Sequence, residues 1–220
     1  MMSASRYRQF WAGVGDRFPD LSGAASTRYY AANEQRLFTA HFGELDGLSI
    51  LKTDLWDEAR NTRILVWAAA RGARVFGVDI SMPTVTLAHA AFESAGMAHT
   101  LLAAGGDVRD LPFADNSFDA IYSMGTIEHF AETERAVAEM ARVLKPGGLA
   151  IVGVPNRYDP FLRPLLATAM QAVGLYGYGY EKSYSRRALR AMLERANLEV
   201  VAETAILFIP GWLRMLDLAC

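Results

Sequence analysis

Two acids stand where a carboxylate can do more than carry charge: Asp79 closes the apolar run VFGVD, and Asp107 opens the segment GDVRDLPFADNSFD. A carboxylate offers about four acceptor sites on two oxygens, a match for the vicinal diol of a ribose, and Asp79 is placed to accept from both hydroxyls. Asp107, followed by Val108 and then by Leu111-Pro112-Phe113, can accept from an adenine amino group while a main-chain amide donates to the ring. Each acid also has an ordinary reading, Asp79 as a helix N-cap and Asp107 as a turn residue. Their separation by one strand–helix unit says more than either acid alone. A nicotinamide ligand would need a G-x-G-x-x-G turn, and the chain has none.

Positioning these acids requires strands that end beneath them. From Leu48 the chain alternates strand-like and helix-like runs: LSILKT, ARNTRILVWAAARG, ARVFGVDI, MPTVTLAHAAFESAG, HTLLAAGGD, FDAIYSMG, ETERAVAEMARVLKPGG and LAIVGVPN. That rhythm predicts an α/β fold, a mostly parallel sheet with helices on both faces. Ligands of such sheets bind at the carboxyl ends of the strands, where both acids fall. Residues 1–46 predict a helical cap, with ASTRYYAANEQRLFTAHF burying Tyr30, Leu37 and Phe38 or their neighbours. Residues 47–156 form the expected binding core. Residues 157–185, where tyrosines alternate with glycines, predict a lid-like insert. Residues 186–220 supply the helix SRRALRAMLERAN and a sixth strand, LEVVAETAILFI.

Composition narrows the function classes. At 220 residues, with 52% hydrophobic and 21% charged residues, the chain suits one globular domain with modest additions. A net charge of −2 gives no general field for nucleic acid. The one cysteine, Cys220, excludes an intrachain disulfide framework and a cysteine zinc site. The start MMSASRYRQFW lacks the apolar core of a signal peptide, and no run approaches a membrane span, so a cytoplasmic protein with no integral membrane segment is expected. The sequence does not set the oligomeric state.

Taken together, GARVFGVDIS, GDVRDLPFADNSFDAIYS, the Glu128-His129 pair in TIEHF and RVLKPGGLAIVGVPN resemble the class I S-adenosylmethionine-dependent methyltransferases over residues 72–156. The resemblance implies a Rossmann-like fold, S-adenosylmethionine as cofactor and methyl transfer, and the charge balance and the aromatic insert suit a small apolar or aromatic acceptor. It implies that Asp79, with the adjacent Ile80, holds the ribose and that Asp107 and Val108 hold the adenine. Strand four, ending at Ser123 and Met124, would pass the reacting centre. Tyr30 in the cap would close over the cofactor, or simply pack. His129 would take a proton from a hydroxyl or amine acceptor, with a structural histidine as the competing reading; Glu181 is the other base. The place of an additional metal-binding Glu is taken by Gly125, so no metal is expected. Tyr176, Tyr178, Tyr180 and Tyr184 would face the acceptor, or form a hydrophobic seam.

Two departures stand out. Family members place a glycine-rich turn after the first strand, whereas SILKTDLWDEARNTRIL has no glycine between Ser49 and Arg71. The donor carries a sulfonium and an ammonium but no pyrophosphate, so Thr53, Asp54, Asp57 or Glu58 can substitute for amide contacts, Asp54 foremost. The acids at 57 and 58 also suit a helix start. The alternative is a non-catalytic binding or scaffold protein that has lost the donor. Secondly, the seventh, antiparallel strand of the family is missing from the pattern.

Overall fold

A computed structural model describes residues 4–17, 19–174, 176–206 and 217. Its centre is a sheet of five parallel strands: β1 (Ser49–Lys52), β2 (Arg74–Asp79), β3 (Leu101–Gly105), β4 (Phe118–Met124) and β5 (Leu144–Gly153), in the order β3-β2-β1-β4-β5. The winding reverses beside β1, so the crevice of such a sheet lies beyond the ends of β1 and its neighbours. The expected α/β architecture is the one observed.

The central strands β1 and β4 and the end of β2 bury both faces, their side chains alternating across the sheet with a period of two. Ile50, Val75 and Tyr122 enter a core on one face with Phe38, Leu65 and Phe92. Leu51, Val78 and Ile121 enter a core on the other face with Val137, Met140 and Val143. The covering helices are α1 (Ala4–Arg17), α2 (Ala25–Phe42), α3 (Trp56–Arg60), α4 (Ile64–Ala69), α5 (Met82–Ser94), α6 (Thr133–Val143), α7 (Arg163–Ala172) and α8 (Arg186–Arg195). Helix α6 buries Ala136, Val137, Met140 and Val143 on one stripe, the pattern of a helix laid on a sheet. Helices α1 and α2 are the cap; α2 buries Leu37 and Phe38 while Tyr30 is half-buried.

Four details differ from expectation. The run 59–72 is two short helices, α3 and α4, broken at Arg63, whose φ of 55° cannot continue a helix. Lys145 to Gly148 do not end β5's prelude as a turn; they bulge within β5, where Phe118 pairs with Leu144 and Ala120 with Leu149. The insert 157–185 contains a helix, α7. The sixth strand is not formed over 198–206, because those residues pair with no strand; 207–209 lie outside the described residues. Among the described residues β5 is therefore the last strand of the sheet, and most of it is only half-buried.

Candidate functional site

The carboxyl ends of the strands open into a cleft of about 1580 Å³ that continues along the β5 edge to residues 199–206. Tyr30, Thr53, Asp54, Asp79, Ile80, Asp107, Val108, Met124 and His129 all line it, brought there from the cap and four different strand ends.

Asp79 ends β2 and is nearly enclosed. Its Oδ2 accepts from the Leu55 amide at 2.8 Å and its Oδ1 from the Ser81 amide at 2.8 Å. Ser81, not Asp79, caps α5, accepting from the Thr84 amide. Burial pushes the Asp79 carboxyl up to about 6, against the pull of the two amides. One amide on each oxygen leaves further lone pairs for a diol. Asp107 is held differently, in the fork of Arg109: Nη2 reaches Oδ2 at 2.6 Å and Nε reaches Oδ1 at 2.9 Å, while Nη1 reaches Glu132. Despite partial burial, the guanidinium keeps this carboxyl below its usual range.

The glycine-free loop is built on an ammonium group that sequence reasoning missed. Lys52, at the tip of β1, has no exposed side-chain surface; its Nζ donates to the Asp54 carbonyl at 3.1 Å, Asp54 Oδ1 at 2.9 Å and Asp57 Oδ2 at 3.2 Å. These acids raise its pKa despite burial, so it is a permanent cation. Asp54 Oδ2 accepts from Thr126, and Thr53 donates to Ser123, tying the loop to β4 and the turn beyond it. Behind Lys52, Tyr122 donates to Glu34 of the cap at 2.6 Å. Burial lifts Glu34 well above the ordinary carboxylate range and Glu58 to about 7. Glu58 accepts from the Leu65 amide and lies outside the cleft lining, while Asp54 and Asp57 both line it. The signal was present in the sequence: a Lys at the end of a buried strand, with acids two, five and six residues on, predicts an internal pair.

Close approach by this loop is permitted by a glycine on the neighbouring strand. A Cβ on Gly77 would sit 2.4 Å from a methyl of Leu55, so the Leu55 side chain occupies space that β2 leaves vacant.

Across the cleft, residues 127–129 form one turn of 3₁₀ helix after Gly125, whose φ of 76° turns the chain out of β4. His129 Nδ1 lies 2.9 Å from the Tyr180 carbonyl, which can only accept, so Nδ1 carries the proton and Nε2 is a bare acceptor. The Trp11 ring meets its edge at 4.8 Å, and Tyr7 donates to its carbonyl. Burial lowers the His129 pKa, so the ring is neutral at neutral pH. Beside it, burial and the nearby Glu181 carboxylate push Glu128 up to about 8. Glu181 is occupied by Arg163 at 2.8 Å and the Tyr176 hydroxyl at 2.5 Å. Tyr178 and Tyr184 line the cleft, and Tyr184 bonds Thr133 at 2.8 Å; Tyr176 and Tyr180 do not line it. Among the described residues no group of three or more His, Cys, Asp or Glu is arranged to hold a metal.

Comparison with known proteins places this geometry. A methyltransferase domain family matches residues 59–152, beginning within α3. The demethylmenaquinone methyltransferase of Thermus thermophilus is 29% identical over 163 residues, 67% of this chain and 73% of that protein. The sterol 24-C-methyltransferase ERG6B of Gibberella zeae is 40% identical over 78 residues, 36% of this chain but 20% of its own length. Among solved structures, the complex of the Haloferax volcanii Trm112 methyltransferase activator with a methyltransferase contains a chain that superposes with a TM-score of 0.66. That match has 21% identity and covers 93% of this chain and 80% of the other.

Proposed function

Because the chain belongs to the class I S-adenosylmethionine-dependent methyltransferases, we propose that it methylates a small apolar or aromatic acceptor bound between the strand ends and the insert. S-adenosylmethionine supplies a methyl group already activated on a positively charged sulfur, so the chain needs no nucleophile of its own. The donor set fits that cofactor. Asp79 retains lone pairs for the ribose, Asp107 and the Val108 amide stand at the β3 tip for the adenine, and Asp54 and Asp57 line the cleft with their oxygens engaged by Lys52, Thr126 and Asn61. Tyr30 closes the cap side.

The protein's own work is to orient, exclude water and receive a proton. Met124, which ends β4, and Thr126 just beyond it line the cleft beside the reacting centre. His129 Nε2, neutral and unprotonated, accepts a proton from a hydroxyl or amine as the acceptor attacks. Demethylmenaquinone and sterol are the acceptors named for the two relatives above, which supports an apolar ligand here.

The observation that carries the reading is the convergence of Asp79, Asp107 and His129 on one cleft at the strand ends. Titration calorimetry with S-adenosylmethionine tests it. Saturable binding is expected, weakened at least tenfold in Asp79→Ala. Against a panel of labelled phenols and quinols, His129→Asn should lower turnover about 100-fold while leaving donor affinity unchanged. No binding by the unaltered chain would end this reading.

A further inference from the structure

We propose that Glu128 binds the acceptor by donating a hydrogen bond to a second oxygen of it, so that the cleft favours phenols carrying a further hydroxyl or carbonyl over those with one oxygen. Glu128 stands in the turn after β4, next to His129, and both residues line the cleft. It is 2% exposed, and its Oε2 is buried without a hydrogen-bond partner. Buried polar atoms nearly always have a partner, so one left without it at the wall of a cleft is a place for a ligand's own atom. Other buried acids of this protein are engaged: Glu34 accepts from Tyr122, Glu58 from the Leu65 amide and Asp79 from two amides. Among the described residues, no other side chain or amide donates to the Glu128 carboxyl; the hydrogen bond it has comes from its own amide.

The carboxyl is placed at the β4 tip. A Cβ on Gly125, another residue of the cleft wall, would lie 3.8 Å from Glu128 Oε1. The last torsion of a glutamate is broad and roughly two-fold, so either oxygen can turn to a ligand. The insert pins the turn that carries it: the Lys182 amide donates to the Glu128 carbonyl at 3.0 Å, one residue before His129 meets the Tyr180 carbonyl. Adjacent residues thus present two different groups, an unpartnered carboxyl and the bare Nε2 of His129.

Surrounding charge decides which way the hydrogen bond runs. The groups that face Glu128 are Tyr7 of α1, Asp54 of the glycine-free loop, Arg163 of α7, Glu181 and Tyr184 of the insert, and the neighbouring His129. Arg163 is the cation of this set, and it is held by Glu181 at 2.8 Å. Desolvation and the carboxylates of Glu181 and Asp54 oppose a further negative charge, so Glu128 keeps its proton until about pH 8. A protonated carboxyl is an O–H donor, and an oxygen lone pair answers it. An ammonium ligand is disfavoured, because it would enter a desolvated site beside Arg163. The selection among acceptors rests on the function proposed above; the pair of groups at 128 and 129 does not.

Titration calorimetry with phenol, catechol and benzylamine at pH 7 tests it. Catechol is expected to bind at least threefold more tightly than phenol, one added hydrogen bond being worth about that or more. Glu128→Leu should weaken catechol about tenfold and leave phenol within twofold, whereas Glu128→Gln, whose amide still donates, should keep catechol within about threefold. Between about pH 7 and about pH 9 catechol affinity should fall about tenfold in the unaltered chain and clearly less in Glu128→Gln, the ionisation of catechol being common to both. Unchanged thermal unfolding midpoints show that both variants fold. Equal affinity for phenol and catechol overturns the proposal, as does catechol binding that survives Glu128→Leu. Benzylamine binding more tightly than either and lost in Glu128→Gln would show that the carboxylate takes an ammonium, and also overturns it. A chain that binds S-adenosylmethionine but none of these ligands overturns this proposal and leaves donor binding standing. Catechol binding that depends on Glu128 in a chain that ignores the donor would sustain the subsite and sink only the proposed function.

Discussion

At the tips of β2 and β3 the carboxylates are held by neutral or delocalised donors: two backbone amides for Asp79 and a guanidinium fork for Asp107. At the tip of β1, Asp54 and Asp57 lean on an ammonium with no exposure at all. A backbone amide is part of the fold and costs no extra desolvation of a charge, whereas a buried ammonium must be repaid by its partners or it destabilises the chain. The amide arrangement at Asp79 leaves lone pairs for a ligand, whereas the Lys52 arrangement spends them on holding a loop that has no glycines.

The sharpest way to break this contrast is Lys52→Met. It strands Asp54 and Asp57 beside Glu34 and Glu58 with no buried cation, so a loss of about 3–5 kcal/mol in urea unfolding is expected. Adding Asp57→Asn should recover part of it, since the two sites are coupled. A loss below about 1 kcal/mol would show that the loop stands without its ammonium.

The pH dependence separates the two ends next. Glu34 and Glu58 have folded pKa values above the ordinary 4.5, so between pH 4.5 and the folded values the native state keeps protons that the unfolded chain has released. Stability is therefore fullest near pH 4.5 as far as these groups are concerned, and falls as pH rises through about 7. Asp79 does the same in a lower window, from 3.8 to about 6. Glu34→Gln should flatten the slope from about pH 4.5 to about 8 by on the order of 1.4 kcal/mol per pH unit, and Asp79→Asn only the slope below about 6. Equal effects of both variants at pH 7 would erase the distinction.

The smallest effect belongs to Arg109→Met. Its pair with Asp107 is partly open to solvent, so a stability change of no more than about 1 kcal/mol is expected. A loss above about 2 kcal/mol in the same urea titration would make this fork as structural as Lys52.

Much of the site was legible beforehand because it depends on short-range pattern. The apolar run ending in Asp79 and the polar loop opening at Asp107 announce strand ends, and strand ends of a parallel sheet face one crevice. His129 was legible as a histidine beyond the strand-four tip, but its tautomer was not, since that depends on the Tyr180 carbonyl 51 positions away. The acid triplet 54, 57 and 58 was legible as charge but not as allegiance: Glu58 turns to the Leu65 amide and the other two to Lys52. The sixth strand was over-read from LEVVAETAILFI, because β-branched residues favour a strand only where a neighbour offers a ladder, and 198–206 find none.

Periodicity and residue type, properties of neighbours along the chain, determined the α/β order, the helical cap and which acids stand at strand ends. Contacts between distant segments decided the rest: that a glycine on β2 makes room for Leu55, that a cap glutamate meets Tyr122, and that α7 turns a leucine face outward. Solvent exclusion and the direction of a lone pair are set by what packs alongside in space, and no local spacing encodes them.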